Sequence, residues 1–321
     1  MPATPRKYII LAYLLAGLIL IVASYSLPLW LPGDFVTAAY SGSEITLTAV
    51  QAQELHAFYA HDQSLRSYMA DVFTLKWGYS YVFQVPISEL ILEALPWTLV
   101  LMGSAHVLAT VVGFIAGVEM AWRRGRLVEK LGVGGATVMA GVPELGVGVI
   151  LLLVFSLHLG WFPAAGGKTV YADYAGCAQL LDLGRHLTLP LTTLFLAYLP
   201  ANFFLTRGSM VLILGQQFLE TARVKGLPPI RIRYAHAARN ALLPLATHFG
   251  MRFAFMVTGA VVVETIFAYP GVGALLFNAI TLRDLPLIQA IVLFSSLAVL
   301  AVNLCLEFIY AFLDPRVRYV S

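Results

Sequence analysis

Six long apolar stretches constrain this chain more than any other feature of its sequence. Each is long enough to cross roughly 30 Å of hydrocarbon as a helix, which takes about 20 residues. They lie at Tyr8–Leu31, Ala94–Trp122, Leu131–Leu159, Leu187–Thr206, Leu243–Ala268 and Leu287–Leu313. Only 12% of the residues are charged, whereas soluble domains have about 25%. We therefore predict an all-α integral membrane protein with six transmembrane helices.

The distribution of lysine and arginine predicts the orientation of these helices. Cytoplasmic segments of membrane proteins are enriched in basic residues. If the N-terminus is cytoplasmic, the inner segments carry 14 basic residues and the outer segments carry five. We therefore predict that both termini are cytoplasmic. The first apolar stretch is longer than the core of about 7–15 residues in a secretory signal, so we expect it to remain as an uncleaved span.

The spans and their connections predict a single transmembrane domain over residues 1–321. The first span, at 8–31, precedes an outer loop at 32–93, whose residue spacing suits one or two short helices outside the bilayer. A core of five spans follows at 94–313 and contains an inner loop at 207–243.

The third span carries two further structural signals. It is rich in glycine, which lets a neighbouring backbone approach closely. The glycines are Gly132, Gly134, Gly135, Gly141, Gly146 and Gly148. Pro143 lies in the middle of this span and predicts a kink there.

The inner loop between the fourth and fifth spans is basic and amphipathic. The residues before Gly226 suit a short helix that this glycine ends, and Pro228-Pro229 prevents it from continuing into the next helix. A short helix held between two spans is a rigid element that could transmit force to a partner. A solvated basic loop without any partner explains the charges equally well. The basic residues here are Arg207, Arg223, Lys225, Arg231, Arg233 and Arg239.

This loop resembles a motif of a known family. Glu220-Thr221-Ala222, followed by Gly226 and by Leu243-Pro244, is similar to the EAA loop of bacterial ABC-importer permeases. A more specific resemblance is to the dipeptide/oligopeptide/nickel permeases, which are binding-protein-dependent importers of type I. It is carried by TARVKGL, HAARNALLP and GAVVVETIFAYPGVG, and also by VPELGVGVILLLVFSLHLGWFPAAG and LDPRVR. The matches cover nearly the whole chain in the family's order, and they resemble the B-type member of the permease pair.

The resemblance implies a type I ABC-importer permease fold and a transport function. The chain would form half of the translocation pathway for peptides or related small solutes, with nickel, other metal chelates and polyamines left open as substrates. Its partners would be a second (C-type) permease, two cytoplasmic ATPases and an extracytoplasmic solute-binding protein. It would lie among lipids as a multi-pass protein of a bacterial cytoplasmic (inner) membrane, and no nucleic acid is expected to bind.

The resemblance also implies that the inner loop forms a coupling helix that docks on an ATPase. The residues carried over for this role are Glu220, Thr221, Ala222, Arg223, Lys225 and Gly226.

No catalytic or metal site is expected on this chain. Gly166-Gly167-Lys168-Thr169 ends like a phosphate-binding loop, but that pattern needs glycine where Phe162 stands. ATP and magnesium would therefore bind to the partner ATPases, and this chain would hold no cofactor. His56 and His61 are five residues apart, whereas helical ligand pairs prefer spacings of three or four. The alternative classes are an ATP-independent secondary transporter or channel and a membrane-embedded enzyme.

Four ionisable residues within apolar stretches are candidates for contact with a pathway, namely Glu144, His248, Arg252 and Glu264. A charge at the bilayer centre costs at least about 2.5–3.5 kcal/mol, so such residues usually face a cavity or a partner. Glu144 and Arg252 have opposite charges. Either they form an ion pair between the third and fifth spans, or they form a polar patch that faces the pathway. Glu264 is expected near the outer end of the fifth span, bonded to backbone or to the partner permease.

Overall fold

The computed structural model describes residues 6–30, 51, 54, 64–74, 76–172 and 174–313. Within these residues the regular elements are helices, and the one isolated bridge joins Tyr79 to Pro86. Most of the predicted first outer loop, including His56 and His61, lies outside the described residues, as does the chain after Leu313.

The helices are numbered here in chain order. They are α1 (Arg6–Trp30), α2 (Leu65–Phe73), α3 (Ile87–Trp122), α4 (Leu127–Gly141), α5 (Glu144–Leu151), α6 (Cys177–Leu214), α7 (Gln217–Val224), α8 (Arg239–Ala254), α9 (Val261–Ile266), α10 (Val272–Thr281) and α11 (Leu285–Leu313). A π-helical segment, Leu152–His158, continues α5, and a second one, Ile232–Ala238, follows the turn Pro229–Arg231 and leads into α8. A short 3-10 helix, Phe255–Thr258, follows α8.

Three single helices in the described part of the chain are long and apolar enough to cross a membrane. They are Ile87–Trp122, Cys177–Leu214 and Leu285–Phe308. The bent pair α4 and α5, with its π-helical extension, makes a fourth candidate. The predicted fifth span is divided between α8, the 3-10 helix and α9. The all-helical membrane class is thus confirmed, while the number of six spans and their orientation stay predictions.

The predicted kink at Pro143 is confirmed as a sharp bend. The axes of α4 and of the helix that begins at Glu144 differ by 94°. Val142 has φ −91° and ψ 122°, and Pro143 has φ −61° and ψ 143°, so both residues are extended. Proline lacks a backbone N–H and disfavours the α conformation in the residue before it, which explains why the helix is interrupted here.

The chain groups into two compact units, which are described separately. The first contains residues up to Thr98, then Val257–Val261 and the part from Pro270 onward. Its core joins the start of α3 to α10 and α11. Asp284 accepts hydrogen bonds from the Ser80 hydroxyl at 2.5 Å and from the Val82 N–H at 3.0 Å.

The second unit contains residues Leu99–Met256 and Val262–Tyr269. In this unit the backbones of α3 and α6 approach each other closely. A Cβ atom added to Gly113 would lie 2.8 Å from the Cβ of Asn202, and one added to Gly117 would lie 2.8 Å from the Cβ of Thr206. Two glycines four residues apart on a spanning helix therefore bring the two backbones together, as small residues do in membranes.

Most glycines of the predicted third span do not contact a neighbouring backbone as Gly113 and Gly117 do. A Cβ added to Gly134, Gly135 or Gly141 would meet no atom within 4 Å in the part of the chain that the structure describes. Gly132 and Gly148 do approach other side chains, since their added Cβ atoms would lie 2.8 Å from the sulfur of Met120 and 3.2 Å from Ile266. The close approach predicted from the glycines of the third span is therefore found mainly on α3.

Candidate functional site

Helix α7 lies within the predicted inner loop and is strongly amphipathic. Leu219 is fully buried and Ala222 is 6% exposed, and both belong to one apolar cluster of the second unit. That cluster also contains Val118 and Ala121 of α3, Met210 of α6, Ile232, Ala237 and Ala238 of the π-helical segment, and Ala241 of α8. Full burial of a leucine side chain stabilises by about 1.5–3 kcal/mol. The short helix is therefore fixed to the ends of α3 and α6.

The other face of α7 is open. Glu220, Thr221, Arg223 and Lys225 are exposed, and the apolar side chain of Val224 is 89% exposed. Gly226 is exposed as well, so five of the six residues proposed for coupling lie at the surface. The sixth, Ala222, faces the protein's own core.

Gly226 ends α7 in the way that its sequence position predicts. Its φ of +70° lies in the left-handed region, which glycine adopts without steric cost. The Gly226 N–H donates to the Arg223 carbonyl, and the Leu227 N–H donates to the Ala222 carbonyl, at 2.9 and 3.3 Å. This pair of bonds is the Schellman arrangement of a helix C-terminus. A Cβ at Gly226 would meet no atom of the described residues within 4 Å, so a larger residue there would cause backbone strain rather than a clash with them.

A second helical segment begins at Pro229, as the two prolines predict, and it is bonded to α3. Arg233 donates to a carboxylate oxygen of Glu119 at 2.5 Å, and the Tyr234 hydroxyl donates to the same oxygen at 2.8 Å. The guanidinium of Arg233 also lies over the Trp122 ring, 4.8 Å from its centroid. Burial, together with the bond to Glu119, raises the pKa of Tyr234 above its usual range.

A second polar contact joins α4 to the end of α6. Arg207 forms an ion pair with Glu129, whose carboxylate also accepts the N–H of Gly125 at 2.6 Å. Glu129 is 6% exposed. From the sequence, Glu119 is expected to reach water by itself, because it lies near the end of a predicted span, and no role is predicted for Glu129. Their partners, Arg233 and Arg207, are distant in sequence and come into contact with them only in the folded chain.

The second unit also contains a polar cavity of about 260 Å³ at the bend between α4 and α5. Its polar lining comes from α3, α5, α6 and α8, and consists of His106, Glu144, Tyr198, Asn202, His248 and Arg252. Three of the four ionisable residues predicted to contact a pathway thus lie together. The fourth, Glu264, is fully buried on α9 and is not part of this lining as the structure describes it.

Aromatic contacts fix several of these side chains. The His106 ring stacks on Phe249 with centroids 4.8 Å apart and lies nearly perpendicular to the Tyr198 ring, with centroids 5.9 Å apart. The Arg252 guanidinium lies 5.9 Å from the centroid of the Tyr198 ring. Within the described residues, Glu144 and Arg252 do not form an ion pair at 4.0 Å or less. The ion pair is thus not found among the described residues, and a polar patch that faces a pathway stays a prediction.

Comparison with known proteins places this chain in a family. Residues 109–319 match the family described as binding-protein-dependent transport system inner membrane component. The oligopeptide transport system permease protein AppB of Bacillus subtilis is 36% identical over 73% of this chain and 73% of its own. A putative peptide transport system permease protein of Brucella abortus is 33% identical over 94% of this chain and 95% of its own. The glutathione transport system permease protein GsiC of Salmonella typhimurium is 33% identical over 83% of this chain and 81% of its own.

A solved structure supports the fold. A chain of the MetNI methionine ABC transporter, in an inward-facing crystal form, aligns with a TM-score of 0.50 at 13% identity, over 73% of this chain and 97% of that chain. Identity this low supports the fold alone. The sequence relatives, which match most of this chain at 33–36% identity, support the family. This chain therefore belongs to the family of binding-protein-dependent transport system inner membrane components, among its peptide ABC-importer permeases.

Proposed function

We propose that this chain forms half of the translocation pathway of an ATP-driven importer for peptides or related small solutes, and that α7 couples it to a cytoplasmic ATPase. The observation that carries the proposal is the two-sided helix α7, which is anchored through Leu219 and open at Glu220, Thr221 and Arg223. A second permease, two ATPases and an extracytoplasmic solute-binding protein would complete the importer, in a bacterial inner membrane.

The anchoring of α7 explains how a movement of the ATPase would reach the spans. Leu219 and Ala222 pack against residues of α3 and α6 in one cluster, so α7 cannot shift without moving the ends of both helices. Packed interiors resist compression and transmit displacement. The bonds from Arg233 and Tyr234 to Glu119 add a second connection from the same inner segment to α3.

The exposed face of α7 has the chemistry of a contact surface. Two exposed apolar residues of this short helix, Phe218 and Val224, lie among exposed charged groups that include Glu220 and Arg223. Such a mixture suits a protein partner better than it suits bulk water alone. ATP and magnesium would be bound by that partner, and this chain would supply position and movement rather than catalysis.

The names of the relatives support peptides as the substrate class. They are described as permeases for oligopeptide, peptide and glutathione transport. The sequence resemblance also includes permeases for nickel, but none of these three names refers to a metal.

Charge reversal on α7 tests the coupling role. The variant Arg223→Glu should lose association with the ATPases and ATP-driven peptide uptake in proteoliposomes, while the purified permease pair stays folded. Lys168→Glu is the matched control, because Lys168 is also exposed but lies in a predicted outer loop. Unchanged ATPase association in Arg223→Glu would contradict the coupling role. Uptake by the permeases alone without ATP would favour the secondary transporter or channel instead.

A further inference from the structure

Glu144 and Arg252 line one cavity without neutralising each other. Glu144 begins α5 and is half-buried, while Arg252 lies near the end of α8 with its guanidinium beside Tyr198. Neither has an ion-pair partner within 4.0 Å among the residues that the structure describes. The cavity therefore presents a negative group and a positive group to its contents from two different helices.

The same lining contains buried polar atoms that have no hydrogen-bond partner among the residues that the structure describes. They are Nε2 of His106, Oδ1 of Asn202 and Nδ1 of His248. His106 is 3% exposed and Asn202 is 1% exposed. Buried polar groups in folded proteins are nearly always bonded, so exceptions that gather in one cavity require an explanation. A polar ligand would bond to them.

We propose that this cavity binds a small zwitterion, with its ammonium group against the carboxylate of Glu144 and its carboxylate against the guanidinium of Arg252. The two ends of a short peptide are such a pair of groups. A guanidinium can bind a carboxylate through two parallel N–H donors. The free oxygen of Asn202 would accept an N–H of the ligand, and the two imidazoles can donate or accept according to their tautomer.

The size of the cavity limits the ligand. Its volume of about 260 Å³ is just below the range of roughly 300–1,000 Å³ for small-molecule sites. A dipeptide is therefore a better candidate than a longer peptide. This inference rests on the proposed importer function, to which it adds a contact inside the permease that distinguishes substrates by their charged ends.

Binding is best measured directly, on the purified importer in detergent and without its solute-binding protein. Equilibrium dialysis with radiolabelled alanyl-alanine gives the affinity for the zwitterion. N-acetylated alanyl-alanine lacks the ammonium group, and the C-terminal amide lacks the carboxylate. Glu144→Gln and Arg252→Gln remove the protein charges one at a time.

Each charged contact should contribute at least about tenfold to affinity, since hydrogen bonds to charged groups contribute about one to two powers of ten. Glu144→Gln should weaken binding of alanyl-alanine by at least about tenfold. It should bind the acetylated peptide no more weakly than the unaltered importer does. Arg252→Gln should likewise weaken binding of alanyl-alanine by at least about tenfold and leave binding of the C-terminal amide no weaker than in the unaltered importer. Glu89→Gln and Arg126→Gln, at exposed sites outside the cavity, should leave all affinities unchanged.

Two results would overturn the zwitterion site. One is equal affinity of the unaltered importer for the free, acetylated and amidated peptides. The other is recovery of normal binding in the double variant Glu144→Gln/Arg252→Gln, which would mean that the two residues serve only to neutralise each other. Recovery is not expected, because a ligand that contacts both charges loses both contacts.

Uptake into proteoliposomes separates failure of this site from failure of the proposed function. ATP-driven uptake of alanyl-alanine that is unchanged in both single variants would remove the zwitterion site and leave the importer function intact. Binding that distinguishes the charged ends, in an importer that transports nothing when ATP is added, would remove the proposed function instead.

Discussion

Replacing Gly117 by alanine should loosen the contact between α3 and α6. The new Cβ would lie 2.8 Å from the Cβ of Thr206, 2.9 Å from the carbonyl oxygen of Phe203 and 3.0 Å from the amide nitrogen of Arg207. Two of these three atoms belong to the backbone, so the strain cannot be relieved by turning a side chain. Overpacking of this kind typically costs about 1–3 kcal/mol.

Gly134→Ala is the matched control for this substitution. A Cβ at Gly134 would meet no atom within 4 Å in the described chain. Both substitutions gain the same helix propensity, up to about 1 kcal/mol for alanine over glycine. The difference in the free energy of unfolding between the two variants therefore isolates the steric cost at Gly117, which we expect to be about 1–3 kcal/mol.

The assay is reversible unfolding of the purified permease in mixed detergent, followed by the fluorescence of its tryptophans. Gly117→Ala should unfold at a lower denaturant concentration than Gly134→Ala. Equal stability of the two variants would show that α3 and α6 do not approach as closely at Gly117 as the structure has them. That outcome would also remove the basis for treating Gly113 and Gly117 as the packing motif of the second unit.

Three further predictions concern the inner segment. Leu219→Ala should cost about 2–5 kcal/mol because it empties a fully buried position, whereas Phe218→Ala, on the exposed side of α7, should change the unfolding free energy little. Gly226→Val should reduce uptake per ATP hydrolysed more than Gly226→Asn does, since a β-branched residue tolerates a positive φ poorly; equal effects would contradict a conformational cause. Glu119→Gln should speed amide hydrogen exchange at 232–238, because Arg233 and Tyr234 lose a charged acceptor, and unchanged protection would show that this connection is not stabilising.

Local features of this chain were predictable because their causes are local. Gly226 ends α7 through its own backbone conformation, and Pro143 interrupts a helix through its missing N–H and its effect on Val142. In each case, neighbouring residues in the sequence contain the whole reason.

Helix boundaries were less predictable, since apolar composition marks only the part of a helix that suits a membrane. Helix α6 begins at Cys177 and ends at Leu214, well beyond the predicted span Leu187–Thr206. Helix α3 begins at Ile87, within the predicted outer loop, because Ile87 and Ile91 are buried against α10 and α11. Packing partners distant in sequence thus extend α3 beyond its apolar segment.

The sequence by itself determined the membrane class, the position of the short helix that ends at Gly226, and the family. Each depends on composition or on the order of neighbouring residues. Only the tertiary structure decided which glycines bring helices together, that Ala222 faces inward, and that Glu119 bonds to Arg233. It also decided that Glu144 and Arg252 share a cavity without pairing. These contacts join residues about 80–115 positions apart, and their distances depend on how the helices pack, which no local pattern encodes.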